Sequence, residues 1–380
     1  MSGRASVPGA SGPGDGGIRA RASVPVRSAP GGPTRTGTPY KGGKRRPRWG
    51  RIAMVGGLAL LLIALLTGGG IYLYFRSVDA DLNRDDPFSQ ITDGRPVKEV
   101  DGALNILMLG SDSRDPDNNG KAGEWRSDTI IVMHIPASHD KAYLISVPRD
   151  LYVHVPKSKS NPKYGNTNAK INAAYSWGGT PLTVETIEEY TKVRMDHVMV
   201  IDFSGFKQVI DALGGIDMYV EQDVKSIHPP KRQFKKGMNH LNGDEALDYA
   251  RQRYQFSDGD FARMRHQQQM MKAIMDKAAS SGTLGNPGKL NAFLKATTKA
   301  LTVDKDFSLA DMAVQFHGLR SENLTFLVSP HGGAQNINGE SVIVPDKAKA
   351  TALYDAMNND KMTDWTQKYG PTPAPSTSAK

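Results

Sequence analysis

Apolar positions along the chain fall into two rhythms. Short β-branched runs at 104–110 (LNILMLG), 129–135 (TIIVMHI), 142–147 (AYLISV), 152–155 (YVHV), 197–203 (HVMVIDF) and 216–220 (IDMYV) predict strands. Between them the period lengthens to that of a helix. In SGFKQVIDALGG, Phe206, Val209, Ile210 and Leu213 share one face, and the Gly pair suits a C-cap. Thr180 and Pro181 are suited to N-cap and first helical residue of PLTVETIEEYT. Helices are further predicted at about 260–279, 287–302, 308–319 and 346–358, with strands LTFLVS and SVIVP before the last of them. Strand and helix interleave almost throughout, so the pattern predicts one α/β domain with a helix-covered sheet over about 100–360.

The stretch 52–75 has neither rhythm. Its 24 residues carry no charge, and as a helix they reach about 36 Å, enough to cross a hydrocarbon core of about 30 Å with some tilt. A buried core helix seldom runs so long without a polar face. A signal peptide has a shorter apolar region, of about 7–15 residues, and a small-residue cleavage site. The expectation is a retained transmembrane helix. Lys41, Lys44, Arg45, Arg46, Arg48 and Arg51 crowd its N-terminal side, which puts residues 1–51 in the cytoplasm and the rest outside the cell membrane.

Charge follows the same division. Residues 1–51 hold eleven Lys and Arg against one Asp, so that segment alone is +10 and the other 329 residues sum to −1 of the total +9. With 12 Gly and 7 Pro and few large apolar residues, 1–51 is expected to be a disordered basic segment. Residues 76–99 are expected to be a linker and 361–380 a disordered tail. The absence of cysteine excludes a disulfide scaffold, thiolate zinc sites and a cysteine nucleophile.

Several catalytic devices are missing. There is no phosphate loop, no G-x-G-x-x-G after a strand, no H-E-x-x-H and no G-x-S-x-G, and the nine histidines are scattered. Acids and basic residues stand instead at strand ends: Asp112 and Arg114, Arg126 and Asp128, Arg149 and Asp150, and Lys170 with Asn172 at a helix start. Ligands of α/β sheets bind in the crevice at strand termini, so these segments have a place to converge. The span 248–269 (DYARQRYQFSDGDFARMRHQQQ) adds four arginines. Arg251 and Arg253 share a face if that piece is extended. Asp260 suits an N-cap, and Asp260, Arg263 and Gln267 lie along one side of the helix it opens, with Arg265 pointing elsewhere. Phe261, Met264, Met271 and Met275 read as its core stripe.

Guanidinium forks fit phosphate oxygens. Mg2+ takes one or two carboxylates plus substrate phosphates, a role suited to Asp112 and Asp128. Together these residue types suit phosphoryl transfer. A solvated salt-bridge network is the competing reading of 248–269, each exposed pair contributing about 0–1 kcal/mol.

The ordered motifs NILMLGSDSR, RSDTIIV, LISVPRDLYVHVP, KINAAYSWGG, VIDFSGFKQVIDALGGIDMYV and LNGDEALDYARQRY…DGDFARMRHQQQ span about 103–275 and strongly resemble the LytR-CpsA-Psr family of cell-envelope proteins. The resemblance implies an α/β/α sandwich with a mixed central sheet and an apolar pocket for a lipid tail. It implies a phosphotransferase that moves a glycopolymer (teichoic acid, capsule or arabinogalactan) from a polyprenyl-pyrophosphate carrier onto a muramic-acid hydroxyl of peptidoglycan. Carried over by motif, Asp112 and Asp128 hold Mg2+ (or Mn2+). Arg126, Arg149, Arg251, Arg253 and Arg263 surround the phosphates, with Lys170, Gln267 and Arg114 nearby. Asp260 either orients an arginine or accepts the hydroxyl proton.

Three other activities compete. A pyrophosphatase uses the same groups with water as nucleophile. A non-catalytic polyprenyl-binding protein has no need of a metal site. A membrane-bound transcriptional regulator needs DNA-contacting charge in the cytoplasm; only 1–51 is expected there and shows no helix-turn-helix pattern, so no nucleic-acid partner is expected.

Overall fold

The structure, a computed structural model, describes residues 73–370 except 75, 92–93, 112–126 and 317, and leaves out the side chains at 127, 128, 203, 204 and 314. A mixed seven-stranded sheet runs in the order β1 (Asn83–Asp85), β12 (Leu301–Asp304), β7 (His197–Asp202), β2 (Leu104–Ser111), β3 (Ser127–Ile135), β4 (Ala142–Val147), β13 (Leu324–Val328). The pairs β1–β12, β7–β2 and β4–β13 are parallel, and the other three are antiparallel. Four two-stranded ribbons surround it: β5 (Tyr152–Val155) with β6 (Thr167–Lys170), β8 (Ile216–Val220) with β11 (Gly237–Leu241), β9 (Val224–Lys225) with β10 (Gln233–Phe234), and β14 (His331–Ile337) with β15 (Glu340–Pro345). The main helices are α1 (Ala173–Thr191), α2 (Phe203–Ala212), α3 (Gly243–Ala250), α4 (Asp260–Ala279), α5 (Pro287–Ala300), α6 (Leu309–Gln315), α7 (Lys347–Asn358) and α8 (Met362–Tyr369).

Strand alternation divides the core into two layers. Leu107, Leu109, Ile130, Val132 and Ile145 point to one side and pack with Val184 and Ile187 of α1 and Leu353 of α7. Ile106, Ile131, Leu144 and Phe326 point to the other, against Met271 of α4 and Met312 of α6. Helices on both faces of a mixed sheet make the expected α/β/α sandwich. A third cluster joins Ile216 and Met218 of β8 to Tyr249 of α3 and Met270 of α4, and so braces α4, which carries Arg263, and the end of α3, which Arg251 and Arg253 follow.

The structure corrects several expected boundaries. Residues 76–99 are not a plain linker, because β1 closes one edge of the sheet and Arg95 forks onto Glu188. Residues 362–369 form α8, whose Met362 and Trp365 join the first core cluster, so the expected tail from 361 begins too early. The helix predicted to 302 stops at Ala300, because Leu301–Val303 pair with β7. That predicted to 319 stops at Gln315, and Phe316 turns onto the second core cluster. At 180 the prediction was sound in part. α1 begins after Asn172 and breaks at Gly178–Gly179, so Thr180 and Pro181 open its second half. The glycine pair after α2 takes positive φ, +79° at Gly214 and +89° at Gly215, as a C-terminal stop requires.

Among the described residues no helix is long and apolar enough to cross a membrane. The expected spanning segment lies outside them except for Leu73 and Tyr74, as do residues 1–51 and 371–380.

Candidate active site

The turn after β4 is the hub of the site. Leu151 N–H closes it on Pro148 O at 2.9 Å. The Arg149 carbonyl accepts from Asn172 N–H at the start of α1 (3.1 Å), and the Asp150 carbonyl accepts from Ile343 N–H on β15 (2.9 Å). Three elements thereby fix where Arg149 and Asp150 project. β6 delivers Lys170, whose Nζ lies 3.7 Å from Asp150 Oδ1 and 3.8 Å from Glu340 Oε2.

The first turn of α4 faces this hub. Gly259, at φ +53°, precedes the helix, so Asp260 is its first residue and not the N-cap expected from the sequence. Its carboxylate turns to arginines. Oδ2 accepts from Arg263 Nη2 at 3.0 Å, while Oδ1 lies 3.6 Å from Arg253 Nη1 and 3.8 Å from Arg149 Nε. Three guanidiniums from three segments thus surround one carboxylate, with Asp150 Oδ2 also 3.7 Å from Arg149 Nε, and such a gathering of forks suits an anion. Arg263 is only 5% exposed. Gln267, one turn further along α4, lines the same small cleft as Arg149, Asp260 and Arg263.

The segment after α3 is not extended. Arg251 keeps helical angles (φ −89°, ψ −11°) and turns follow, so Arg251 and Arg253 part company. Arg251 lines an apolar pocket with Met108, Ile131, Phe206, Met270 and Met271. Arg253 goes to Asp260, with its guanidinium 4.5 Å from the centre of the Tyr254 ring. Arg265 points away, as expected, and binds Glu221 (3.2 Å) and Asp258, pinning the turn that leads into α4. Of the expected stripe on α4 only Met264 is fully buried. Ala262, Arg263, His266, Gln268, Gln269 and Met270 are buried instead, because the helix is enclosed by the third cluster as well as by the sheet.

Asp112, Arg114 and Arg126 lie outside the described residues, and so does the Asp128 side chain. The described backbone ends next to these positions. Ser111, which immediately precedes Asp112, pairs with Ser127, and the register slips between Gly110 and Ser111 so that Asp128 is left as a bulge. Among the described residues no three His, Asp or Glu side chains gather into a metal cage. Two carboxylates completed by substrate phosphates is the arrangement Mg2+ favours.

Two spaces flank the arginines. The apolar pocket at Arg251 and Gln267 has a volume of about 60 Å³. On the other side a polar groove of about 990 Å³ runs from Arg149, Asp150 and Lys170 past Tyr164 and Trp177 to the β14–β15 hairpin.

The model of the LytR_cpsA_psr family matches residues 72–359, three quarters of the chain. The chain belongs to the LytR-CpsA-Psr family. It is 33% identical over 317 residues to the polyisoprenyl-teichoic acid–peptidoglycan teichoic acid transferase TagU of Oceanobacillus iheyensis, covering 80% of this chain and 91% of that protein. The crystal structure of Bacillus subtilis TagV superposes with a TM-score of 0.54 at 29% identity, over 72% of this chain and all of that one. A structure of TagT bound to LI-WTA gives a TM-score of 0.55 at 25% identity, over 70% of this chain and 96% of that one.

Within this family member, sequence reasoning singled out Arg149, Arg253, Asp260 and Arg263, which the fold brings together, but passed over the groove. Tyr164 and Trp177 lie in a loop and a helix start with no periodic signal. Asp150 and Lys170 at one end of the groove were named from the sequence, whereas Glu340 was not.

One further buried group sits on α4. His266 is fully enclosed between the rings of Tyr249 and Phe256, at 4.4 and 4.7 Å between centroids. Burial lowers its pKa to about 4, against the pull of Glu221. The folded protein therefore keeps it neutral while the unfolded chain protonates it below about 6.5. The stabilisation is complete above that pH and is lost on acidification through pH 4, a change of about 3 kcal/mol. Urea titrations of detergent-solubilised protein at pH 7 and 4.5 measure it. His266→Phe is expected to flatten the pH dependence by that amount, and an unchanged slope would refute the assignment.

Proposed function

We propose that the chain transfers a glycopolymer from a polyprenyl-pyrophosphate carrier to a muramic-acid hydroxyl of peptidoglycan, in a Mg2+-dependent reaction at the outer face of the cell membrane. The observation that carries this reading is the Asp260-centred cluster of Arg149, Arg253 and Arg263, set between an apolar pocket and a polar groove. The names of the relatives supply the class of carrier and acceptor.

In this reading Arg149, Arg253 and Arg263 bind the pyrophosphate oxygens, and Arg251 stands where the phosphates meet the first isoprene units. About 60 Å³ holds roughly two waters. The flexible Met108, Met270 and Met271 side chains therefore move aside to admit the lipid. The acceptor oxygen bonds to the glycan-proximal phosphorus as the bond to the bridging oxygen breaks, so polyprenyl phosphate leaves and a phosphodiester remains. Asp260 serves through both oxygens: Oδ2 holds Arg263, and Oδ1, buried without a hydrogen bond, accepts the hydroxyl proton. Asp112 and Asp128 are the residues to hold Mg2+ or Mn2+, which supplies charge neutralisation on the phosphates. Lys170 and Arg114 complete the positive surround. Residues 52–75 anchor the protein in the bilayer with the N-terminus inside.

The test uses full-length protein in detergent, labelled glycan on polyprenyl pyrophosphate, peptidoglycan oligomers and Mg2+. The expected product is glycan joined by phosphodiester to muramic acid, abolished by EDTA and restored by Mg2+ or Mn2+. Carrier cleavage indifferent to the acceptor identifies a pyrophosphatase instead.

A further inference from the structure

The polar groove meets the phosphate site only at its Arg149 and Lys170 end, and the rest of its length has no role in the reading above. We propose that it seats the acceptor, a strand of N-acetylated hexosamines, against a wall formed by Tyr164 and Trp177. This assignment rests on the transfer reading above and adds the place and chemistry of the second substrate.

Position is the first argument. The groove and the apolar pocket share no lining residue, whereas the small cleft between them shares Arg149 with the groove and Gln267 with the pocket. The arginine cluster therefore stands between the two spaces. In an in-line displacement the attacking and leaving oxygens lie on opposite sides of phosphorus. The leaving polyprenyl phosphate goes with the apolar side, which leaves the groove side to the nucleophile.

Chemistry is the second. Only Arg149, Asp150, Lys170 and Glu340 among the lining residues are charged, and Lys170 ties the two acids together at the end nearest the cluster. Beyond them the groove is neutral, with Asn161, Asn168, Asn172 and Ser176 offering both donors and acceptors. Such a lining matches sugar hydroxyls and acetamido groups. It lacks the run of cations that a nucleic acid needs. Tyr164 and Trp177 stack, with centroids 5.6 Å apart and planes 11° from parallel, and Tyr164 stays 37% exposed. An exposed ring surface beside amides is where the apolar C–H face of a pyranose can rest.

The wall is also held in place before any ligand arrives. Ser158 Oγ donates to the Trp177 carbonyl (3.0 Å) and accepts from Asn161 N–H (3.1 Å), while Ser158 N–H donates to the Tyr164 carbonyl (3.0 Å). Gly165 turns the loop at φ +93°, where a Cβ would collide with the Pro156 carbonyl. A preorganised aromatic wall spends little binding energy on ordering itself.

The experiment uses full-length protein in detergent and three probes: an N-acetylglucosamine tetramer, an oligomer of the N-acetylglucosamine–N-acetylmuramic acid repeat, and a polyprenyl-pyrophosphate glycan. Tyr164→Ala and Asn168→Ala both sit at the surface and spare the core. Each is expected to raise the Kd for the first two probes, and the acceptor KM, about tenfold, with donor Kd within about twofold and Tyr164→Phe restoring most of the affinity. Folded variants that bind both oligosaccharides as tightly as the parent overturn the proposal. So does a tenfold loss confined to the donor, which makes the groove a seat for the donor's own glycan. Groove-dependent oligosaccharide binding in a protein that transfers nothing sinks the transfer reading but not the groove.

Discussion

Arg263→Ala is expected to slow transfer about a thousandfold. The arginine is buried, it donates to Asp260 at 3.0 Å, and Asp260 in turn faces Arg149 and Arg253. Its removal subtracts one charge from the proposed phosphate site and loosens the carboxylate that spaces the other two. Losing one preorganised electrostatic group in a dry site costs about 2.7–4 kcal/mol of transition-state stabilisation, and about 1.4 kcal/mol corresponds to each factor of ten. Arg263→Lys keeps the charge but loses the planar fork, so it should fall between the two. Single-turnover rates with saturating donor separate chemistry from binding, and a thermal melt of each variant separates both from misfolding. A well-folded Arg263→Ala within tenfold of the parent would make this residue a structural support only.

The second large effect is on stability. Arg95→Ala is expected to cost about 3–5 kcal/mol, the usual consequence of stranding one member of a buried ion pair. Glu188 is 2% exposed, and its oxygens take Arg95 Nη2 at 2.6 Å and Nε at 3.0 Å, with Met195 N–H at 2.8 Å. The guanidinium also covers the Phe88 ring at 4.3 Å. Without Arg95 that carboxylate remains inside with one backbone donor. Urea unfolding gives the size, and a cycle with Glu188→Gln gives the reason. The double variant should lose much less than the sum of the singles. A loss below 1 kcal/mol for Arg95→Ala alone would mean that water reaches Glu188 and replaces the arginine.

Arg95 also shows where sequence reading ends. The central strands were legible because β3, β4 and β7 are rich in β-branched residues and β2 in Leu, Ile and Met, and their side chains alternate between the two faces of a covered sheet. β1 was not: its three residues, NRD, are polar and exposed, and only pairing with β12 makes them a strand. β12 was absorbed into the preceding helix because it is four residues long and follows α5 without a turn. β14 reads HGGAQNI, with no apolar alternation, although the Asn338-Gly339 pair before β15 was an available hairpin signal. In the site, residue types were informative and directions were not. Arg251 and Arg253 are two apart in sequence, yet one lines the apolar pocket and the other reaches Asp260, because a helix end separates them. Tyr164 and Trp177 meet only because the loop after β5 folds back on α1, a long-range event that no local pattern encodes.

The edge position of β1 has a consequence for reach. With the proposed anchor ending at residue 75, only seven residues, 76–82, separate lipid from sheet, and 76–80 are helical. Even fully extended that leash would span roughly 25 Å. Under the proposed anchoring the protein is moored, not tethered on a long stalk. It would meet carriers that diffuse in the plane of the bilayer and would not search outward through the thickness of a wall. Its acceptors should accordingly be strands still close to the membrane where they are made.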